Sequence, residues 1–271
     1  MRFDTEKRVM DSHPGRPGLW DLQKKLENDR VFIAQRLSNI RKVIAVLSGK
    51  GGVGKTFVAT NLAFFLSDKG YHVGLVDGDI DCPNIPAVLG LSSDPGDPNQ
   101  GFPVEFEGVS IVSMGLLNGP LEADQPRIWR GPLIGKALTD LLTGPDWNPL
   151  DFLVIDMPPG TSDAALILMQ LVRLDGIILV GTSSPAAVLD IKKTFGMARQ
   201  MNKPVLGIVE NMAGPVFGSG RLEQWAKEMH VPFLATIPLL EKLDSRKQPV
   251  VRSDLKLSSI FDQIAKKALF D

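Results

Sequence analysis

The chain has 271 residues, 44% hydrophobic and 23% charged, with a formal net charge of -1 at pH 7. This balance fits an ordinary globular profile, and the length suits one large α/β domain or two small ones, of which one large domain is expected; the charge argues against a broad nucleic-acid surface, which would need clustered lysine and arginine. The single cysteine, Cys82, excludes an intrachain disulfide framework and a cysteine-only metal site within one chain, so a reducing, cytoplasmic setting is expected.

Residues 1–18 are polar, with two prolines and no apolar h-region, and are expected to form a flexible leader ahead of a single domain over residues 19–271. From Leu19 to Ile40, Leu22, Leu26, Ile33 and Leu37 fall at amphipathic-helix spacing, with an interruption expected around Asn28-Asp29. Short apolar runs follow: "KVIAVLSG", "HVGLVDGD", "VSIVSMG", "FLVIDMPP", "GIILVGTS", "PVLGIVEN" and "FLATIPL". Most are continuous rather than alternating, and helical patterns separate several of them. They therefore read as strands buried on both faces of a parallel sheet. Ser92–Pro103 reads as a surface loop. "RIWRGP" at Arg127–Pro132 reads equally as an interface contact or a helix-entry packing motif. The terminal "DLKLSSIFDQIAKKALF" places Leu257, Ile260, Phe261, Ile264, Ala268 and Leu269 on one face, as a helix covering the sheet would, so no stable membrane association is expected. His13, His72 and His230 stand too far apart to share a metal at ligand spacing.

The segment "GKGGVGKT", Gly49–Thr56, lies directly after the first strand and directly before a helical run that Phe57 continues. It fits G-x-x-x-x-G-K-[ST], the loop that cradles nucleotide phosphates. Gly49, Gly51, Gly52 and Gly54 let successive N–H groups point inward, with Val53 between them, and the helix N-terminus adds partial positive charge. Lys55 then reaches the β- and γ-phosphates and the Thr56 hydroxyl ligates Mg²⁺. A nucleotide phosphate with Mg²⁺ is the expected ligand. Asp77, Asp79 and Asp81 end the second strand at alternate positions, and Asp156 ends "FLVIDMPPG". Strand ends facing a phosphate loop are where such sheets bind ligands.

Lys50, early in "KGGVGKT", resembles the deviant phosphate loop of the MinD/ParA/nitrogenase-iron-protein class. That resemblance implies that Lys50 crosses a homodimer interface to the partner's phosphates. In the same class Asp156 resembles the Walker B aspartate, Asp77 the metal-supporting aspartate of switch I, and Asp79 the water-positioning carboxylate. Five further segments, "DGDIDCPNIPAVLGL", "PRIWRGPLIGKAL", "LDFLVIDMPPGTSDAALILMQ", "GTSSPAAVLDIKKTFGMARQMNKPVLGIVENMAG" and "VPFLATIPL", narrow this to the Mrp/ApbC family of iron–sulfur carrier ATPases. The resemblance implies an α/β fold with a doubly wound, mostly parallel sheet and helices on both faces, ATP or ADP with Mg²⁺ as cofactor, and slow ATP hydrolysis in a nucleotide-sandwich dimer, with Asn211 on the adenine and Pro238 and Leu239 beside it. Family members carry Cys-x-x-Cys after the "VENM" strand and pool it across the dimer to hold a cluster. Here "VENMAGPVFGSGRLEQW" contains no cysteine, so no iron–sulfur cluster is expected and the chain is expected to act on an unidentified client protein in metallocofactor, iron–sulfur or sulfur-related assembly. A carrier taking ligands from elsewhere and a MinD/ParA-like positioning ATPase are the alternatives.

Overall fold

The computed structural model describes residues 19–91, 102–117, 132–240 and 249–270. The expected leader, the loop over 92–101 and most of "RIWRGP" lie outside the described residues.

Helix α1 (Leu19–Arg36) leads into β1 (Ile40–Ser48), α2 (Lys55–Asp68), β2 (Val73–Asp77) and the short α3 (Ile85–Leu89). Then come β3 (Val104–Phe106), β4 (Val109–Ser113), α4 (Pro132–Thr143), β5 (Leu150–Asp156), α5 (Asp163–Leu171) and β6 (Gly176–Gly181). The chain continues through α6 (Pro185–Gln200), β7 (Val205–Ala213), α7 (Arg221–Met229), β8 (Phe233–Pro238), a 3₁₀ turn (Val250–Arg252) and α8 (Leu255–Ala265).

The eight strands form one sheet in the order β3-β4-β2-β5-β1-β6-β7-β8. Every pairing is parallel except the β3–β4 edge hairpin. Each run read as a strand is one. β3 was hidden in the sequence because three residues are too few to show alternation, and its pairing with β4 comes from the turn at Glu107-Gly108, where both residues have positive φ. The interruption expected at Asn28-Asp29 is absent, and α1 is continuous. Asparagine and aspartate lower helix propensity by only tenths of a kcal/mol, less than the docking of the helix supplies.

Alternation along the central strands feeds two cores. Val43, Ala45 and Leu47 of β1 face the layer of α1, α4, α5, α6 and α7, while Ile44 and Val46 face α2, α3 and α8. Burial on both faces explains why these strands are continuously apolar. Leu257, Phe261, Ile264 and Leu269 of the terminal segment are buried against the second layer, with Ile260 and Ala268 packed at its margin. The Gln263 amide donates to the Leu234 carbonyl at 2.8 Å, and the Lys267 ammonium to those of Phe233 and Leu234, so this segment also covers backbone acceptors of edge strand β8.

Helix α1 is tied to the first layer. Ile33 and Leu37 are buried, and the Arg36 guanidinium donates to the Thr143 and Pro145 carbonyls just past the end of α4, at 3.0 Å each. Ile33→Ala is therefore expected to lower stability by about 2–4 kcal/mol. Urea unfolding should remain a single transition with an earlier midpoint; an unchanged midpoint would mean that α1 lies outside the cooperative unit.

Candidate phosphate-binding and metal site

The strand order reverses at β1. The chain leaves β1 for β2 and β4, returns to β5 on one flank of β1, and then crosses to β6 on the other. A doubly wound sheet opens a crevice at such a reversal, beyond the carboxyl ends of its strands. The loop from Gly49 to Gly54 occupies that position, and α2 starts from it at Lys55.

Glycine is required at specific points of the loop. Gly52 and Gly54 have φ of 79° and 83°, in the left-handed region that disfavours a side chain. A Cβ on Gly49 would lie 2.4 Å from the Asp190 carbonyl carbon and 2.6 Å from the Ile191 nitrogen, inside the backbone of α6. A Cβ on Gly54 would lie 2.1 Å from the Asn211 side-chain nitrogen. At Gly51 and Gly52 there is nothing within 4 Å, so the exposed side of the loop is open. The result is a tightly backed cradle with a free mouth, suited to an anion on backbone N–H groups.

Beneath the loop, β5 delivers Asp156. Its carboxylate accepts from the Lys55 ammonium at 2.6 Å and from the Thr56 hydroxyl at 2.7 Å. The next segment is pinned to β1, with Met157 N–H on the Val46 carbonyl at 3.0 Å and Gly160 N–H on that of Ser48 at 2.7 Å. Asp77, at the end of β2, pairs in register with Asp156. One oxygen of Asp77 accepts from Ile85 N–H at 3.0 Å and from the Ser113 hydroxyl at 3.1 Å, while the other is buried with no partner. Burial, with the Asp156 charge behind it, pushes the Asp77 carboxyl up to about 8. Burial also raises Asp156, against the opposing charge and hydrogen bond of Lys55. Lys55 thus pairs with Asp156, while Asp77 holds a proton near neutral pH in the ligand-free state, one that a cation bound between the two acids would displace.

The donors here, Thr56 Oγ1 and the oxygens of Asp77 and Asp156, are all hard oxygens, the ligand type that Mg²⁺ takes. Among the described residues no three His, Cys, Asp or Glu side chains gather to hold a metal on their own. The fit is therefore to a cation held jointly with phosphate oxygens, as Mg²⁺ commonly is.

Asp79 stands half-buried outside this pair, its carboxylate accepting from Cys82 N–H at 3.2 Å in the turn before α3. Burial raises it, while Lys55 opposes. Cys82 itself is exposed. Lys50 is half-buried; its carbonyl accepts from the Ser48 hydroxyl at 2.9 Å, and among the described residues its ammonium has no hydrogen-bond or ion-pair partner. Val53 is buried and Phe57 half-buried at the start of α2. Asn211, at 3% exposure, gives one amide hydrogen to the Val53 carbonyl at 2.9 Å. Leu239 N–H donates to the Ala213 carbonyl at 2.9 Å, so the Pro238–Leu239 corner lies beside the end of β7. The candidate site residues thus gather at the carboxyl edge of the sheet, at or just past the ends of β1, β2, β5, β7 and β8 and on the first turn of α2.

Sequence reasoning missed Ser113 and Glu210. The Glu210 carboxylate is fully buried, accepting from the Ser183 hydroxyl and from Gly220 and Leu222 N–H, so it caps α7 and fixes the hairpin that Gly214 and Gly218 close. A glutamate inside the apolar run "VLGIVEN" was a readable signal, because a buried carboxylate needs such partners.

A family profile described as the NUBPL iron-transfer P-loop NTPase of the ParA group matches residues 39–269. The chain belongs to this family. It is 39% identical over 275 residues to the iron-sulfur cluster carrier protein of Methanocaldococcus jannaschii, covering 95% of this chain and 94% of that one. Among solved structures it is similar to a nucleotide-binding protein from Archaeoglobus fulgidus in complex with ADP, with a TM-score of 0.63, 31% identity, and 89% and 93% of the two chains covered. The septum site-determining protein MinD of Pyrococcus horikoshii, complexed with Mg-ADP, gives a TM-score of 0.58 and 25% identity over 83% and 95% of the two chains.

The carboxylate pair makes ligand-free stability pH-dependent. Asp77 binds its proton more tightly folded than unfolded, so its contribution is fully present below about pH 4 and is lost as pH rises towards 8, at up to about 1.4 kcal/mol per unit. Asp77→Asn should flatten that slope in urea midpoints measured from pH 5 to 8. An identical slope in the two proteins would refute the assignment.

Proposed function

We propose that residues 19–271 form one ATPase domain that binds ATP or ADP with Mg²⁺, hydrolyses ATP slowly as a homodimer, and is switched by nucleotide to act on a client protein. The observation that carries this reading is the Lys55–Asp156–Thr56 cluster beneath an open glycine cradle. Loop N–H groups and Lys55 bind and orient the phosphates, and Mg²⁺ supplies charge neutralisation for phosphoryl transfer when bound. Thr56, Asp77 and Asp156 are the residues that would hold it. Asp79 positions the attacking water. Asn211, Pro238 and Leu239 receive the base.

Lys50, with its ammonium free of partners among the described residues, is assigned to the second subunit's phosphates. The family and the iron-sulfur carrier named above point the client towards iron–sulfur or related metallocofactor assembly. A cytoplasmic setting suits the lone cysteine, and no described helix is long and apolar enough to cross a membrane.

Lys55→Ala should abolish ATP binding by calorimetry, and the carboxylate it strands at Asp156 should then take a proton. Lys50→Ala should bind ATP yet lose hydrolysis and ATP-dependent dimerisation. Asp79→Ala should lose hydrolysis and keep the dimer. Wild-type protein that hydrolyses ATP while light scattering shows only monomers would exclude the dimer mechanism.

The hairpin that follows β7 closes over five residues, Gly214–Gly218, and carries no cysteine. Two subunits then offer only two thiols, and four soft ligands are the usual requirement of a cluster. Anaerobic reconstitution with iron and sulfide is expected to give no stoichiometric cluster, and Cys82→Ser to keep wild-type ATPase. About four irons per dimer with a visible band lost in Cys82→Ser would restore the carrier reading.

A further inference from the structure

No motif marks Ser113, the last residue of β4, yet its side chain is fully buried at the carboxyl end of the sheet. Its hydroxyl accepts from Gly115 N–H at 3.1 Å and donates to one oxygen of Asp77 at 3.1 Å. An N–H can only donate, so the Gly115 contact leaves the single hydroxyl hydrogen for Asp77. The same Asp77 oxygen accepts from Ile85 N–H at 3.0 Å. The arrangement is tightly packed. A Cβ on Gly115 would lie 3.2 Å from Pro86 Cγ and 3.4 Å from the Ser113 hydroxyl, so the end of β4 rests directly on the first turn of α3.

The two oxygens of Asp77 are therefore treated unequally. One takes both donors, from β4 and from α3, and the other is buried with no partner. Strand β2 lies between β4 and β5, so Asp77 pairs in register with Ser113 on one side and with Asp156 on the other. Asp156 has both of its oxygens engaged, one by Lys55 and one by Thr56. Of the two acids, Asp77 alone keeps an oxygen with no donor on it.

Resting on the nucleotide and Mg²⁺ reading above, we infer that Ser113 is a positioning residue for the metal. By engaging one oxygen of Asp77 it sets the rotation of that carboxyl group and leaves the second oxygen for the cation. Hydrogen bonds to a ligating carboxylate orient it, and their loss lowers metal affinity.

The test separates metal binding from nucleotide binding and from folding. ADP affinity is measured by calorimetry in EDTA and across a Mg²⁺ titration, for the wild type, Ser113→Ala and Ser113→Thr. Ser113→Ala should leave ADP affinity in EDTA unchanged and raise by about tenfold the Mg²⁺ concentration that gives half of the metal-dependent gain. Ser113→Thr keeps the hydroxyl and should restore the wild-type requirement. Where urea unfolding shows that Ser113→Ala is not folded, Ser113→Cys, a weak donor, takes its place and should also raise the requirement. An unchanged Mg²⁺ requirement in the folded variant overturns the inference alone. So does a loss of ADP affinity in EDTA equal to the loss with Mg²⁺, which would give Ser113 a purely structural role. Wild-type protein that binds no ADP, or whose ADP affinity ignores Mg²⁺, would instead sink the nucleotide and metal reading, and this inference with it.

Discussion

One buried carboxylate joins the two halves of the crevice. Asp156 grows from β5 and holds both the ammonium of Lys55 and the hydroxyl of Thr56, the first two residues of α2. For this to occur, β5 must lie directly beside β1, and the chain achieves that by crossing out to β2 and β4 before returning. An unpaired carboxylate at this depth would be costly, so the pair fixes the start of α2 against the end of β5. The apolar strands on either side supply burial, and burial in turn strengthens the electrostatics of the few polar groups left at the strand ends.

The same economy of charge extends to Asp77. Its one satisfied oxygen is held by α3 and by Ser113 of β4, so the segment that carries Asp79 and Cys82 is anchored at both ends of a short turn. Its other oxygen is buried without a hydrogen-bond partner in the ligand-free state. A site with this deficit gains most from a cation that arrives with its own anionic partner, because phosphate oxygens complete the shell that the protein leaves open.

The far side of β1 is organised differently. There the loop is shaped by contact rather than charge, with Gly49 pressed on the backbone of α6 and Gly54 on Asn211. The end of β7 carries three consecutive tasks. Glu210 caps α7, Asn211 braces the loop, and Met212 turns the strand into the bulge that meets Leu239. This strand end leads straight into the Gly214–Gly218 hairpin, where Val216 is exposed.

The sequence alone indicated a parallel sheet, because continuous apolar runs of strand length interleaved with helical patterns suit strands buried on both faces; the strand order belongs to the tertiary structure. It also determined the phosphate loop, since four glycines and a Lys-Thr pair between strand and helix match the phosphate-cradling pattern, and it supplied the lone cysteine. It could not show β3, whose identity rests on three residues and a turn, nor the continuity of α1, which docking decides over weak local preference. Nor could it show that Asp156 binds Lys55 and Thr56 together, that one Asp77 oxygen is left without a partner, or that Asn211 reaches the Val53 carbonyl. Those contacts join residues about 100 or more positions apart, or depend on what burial excludes, and such distances are set by strand order and packing rather than by any local pattern.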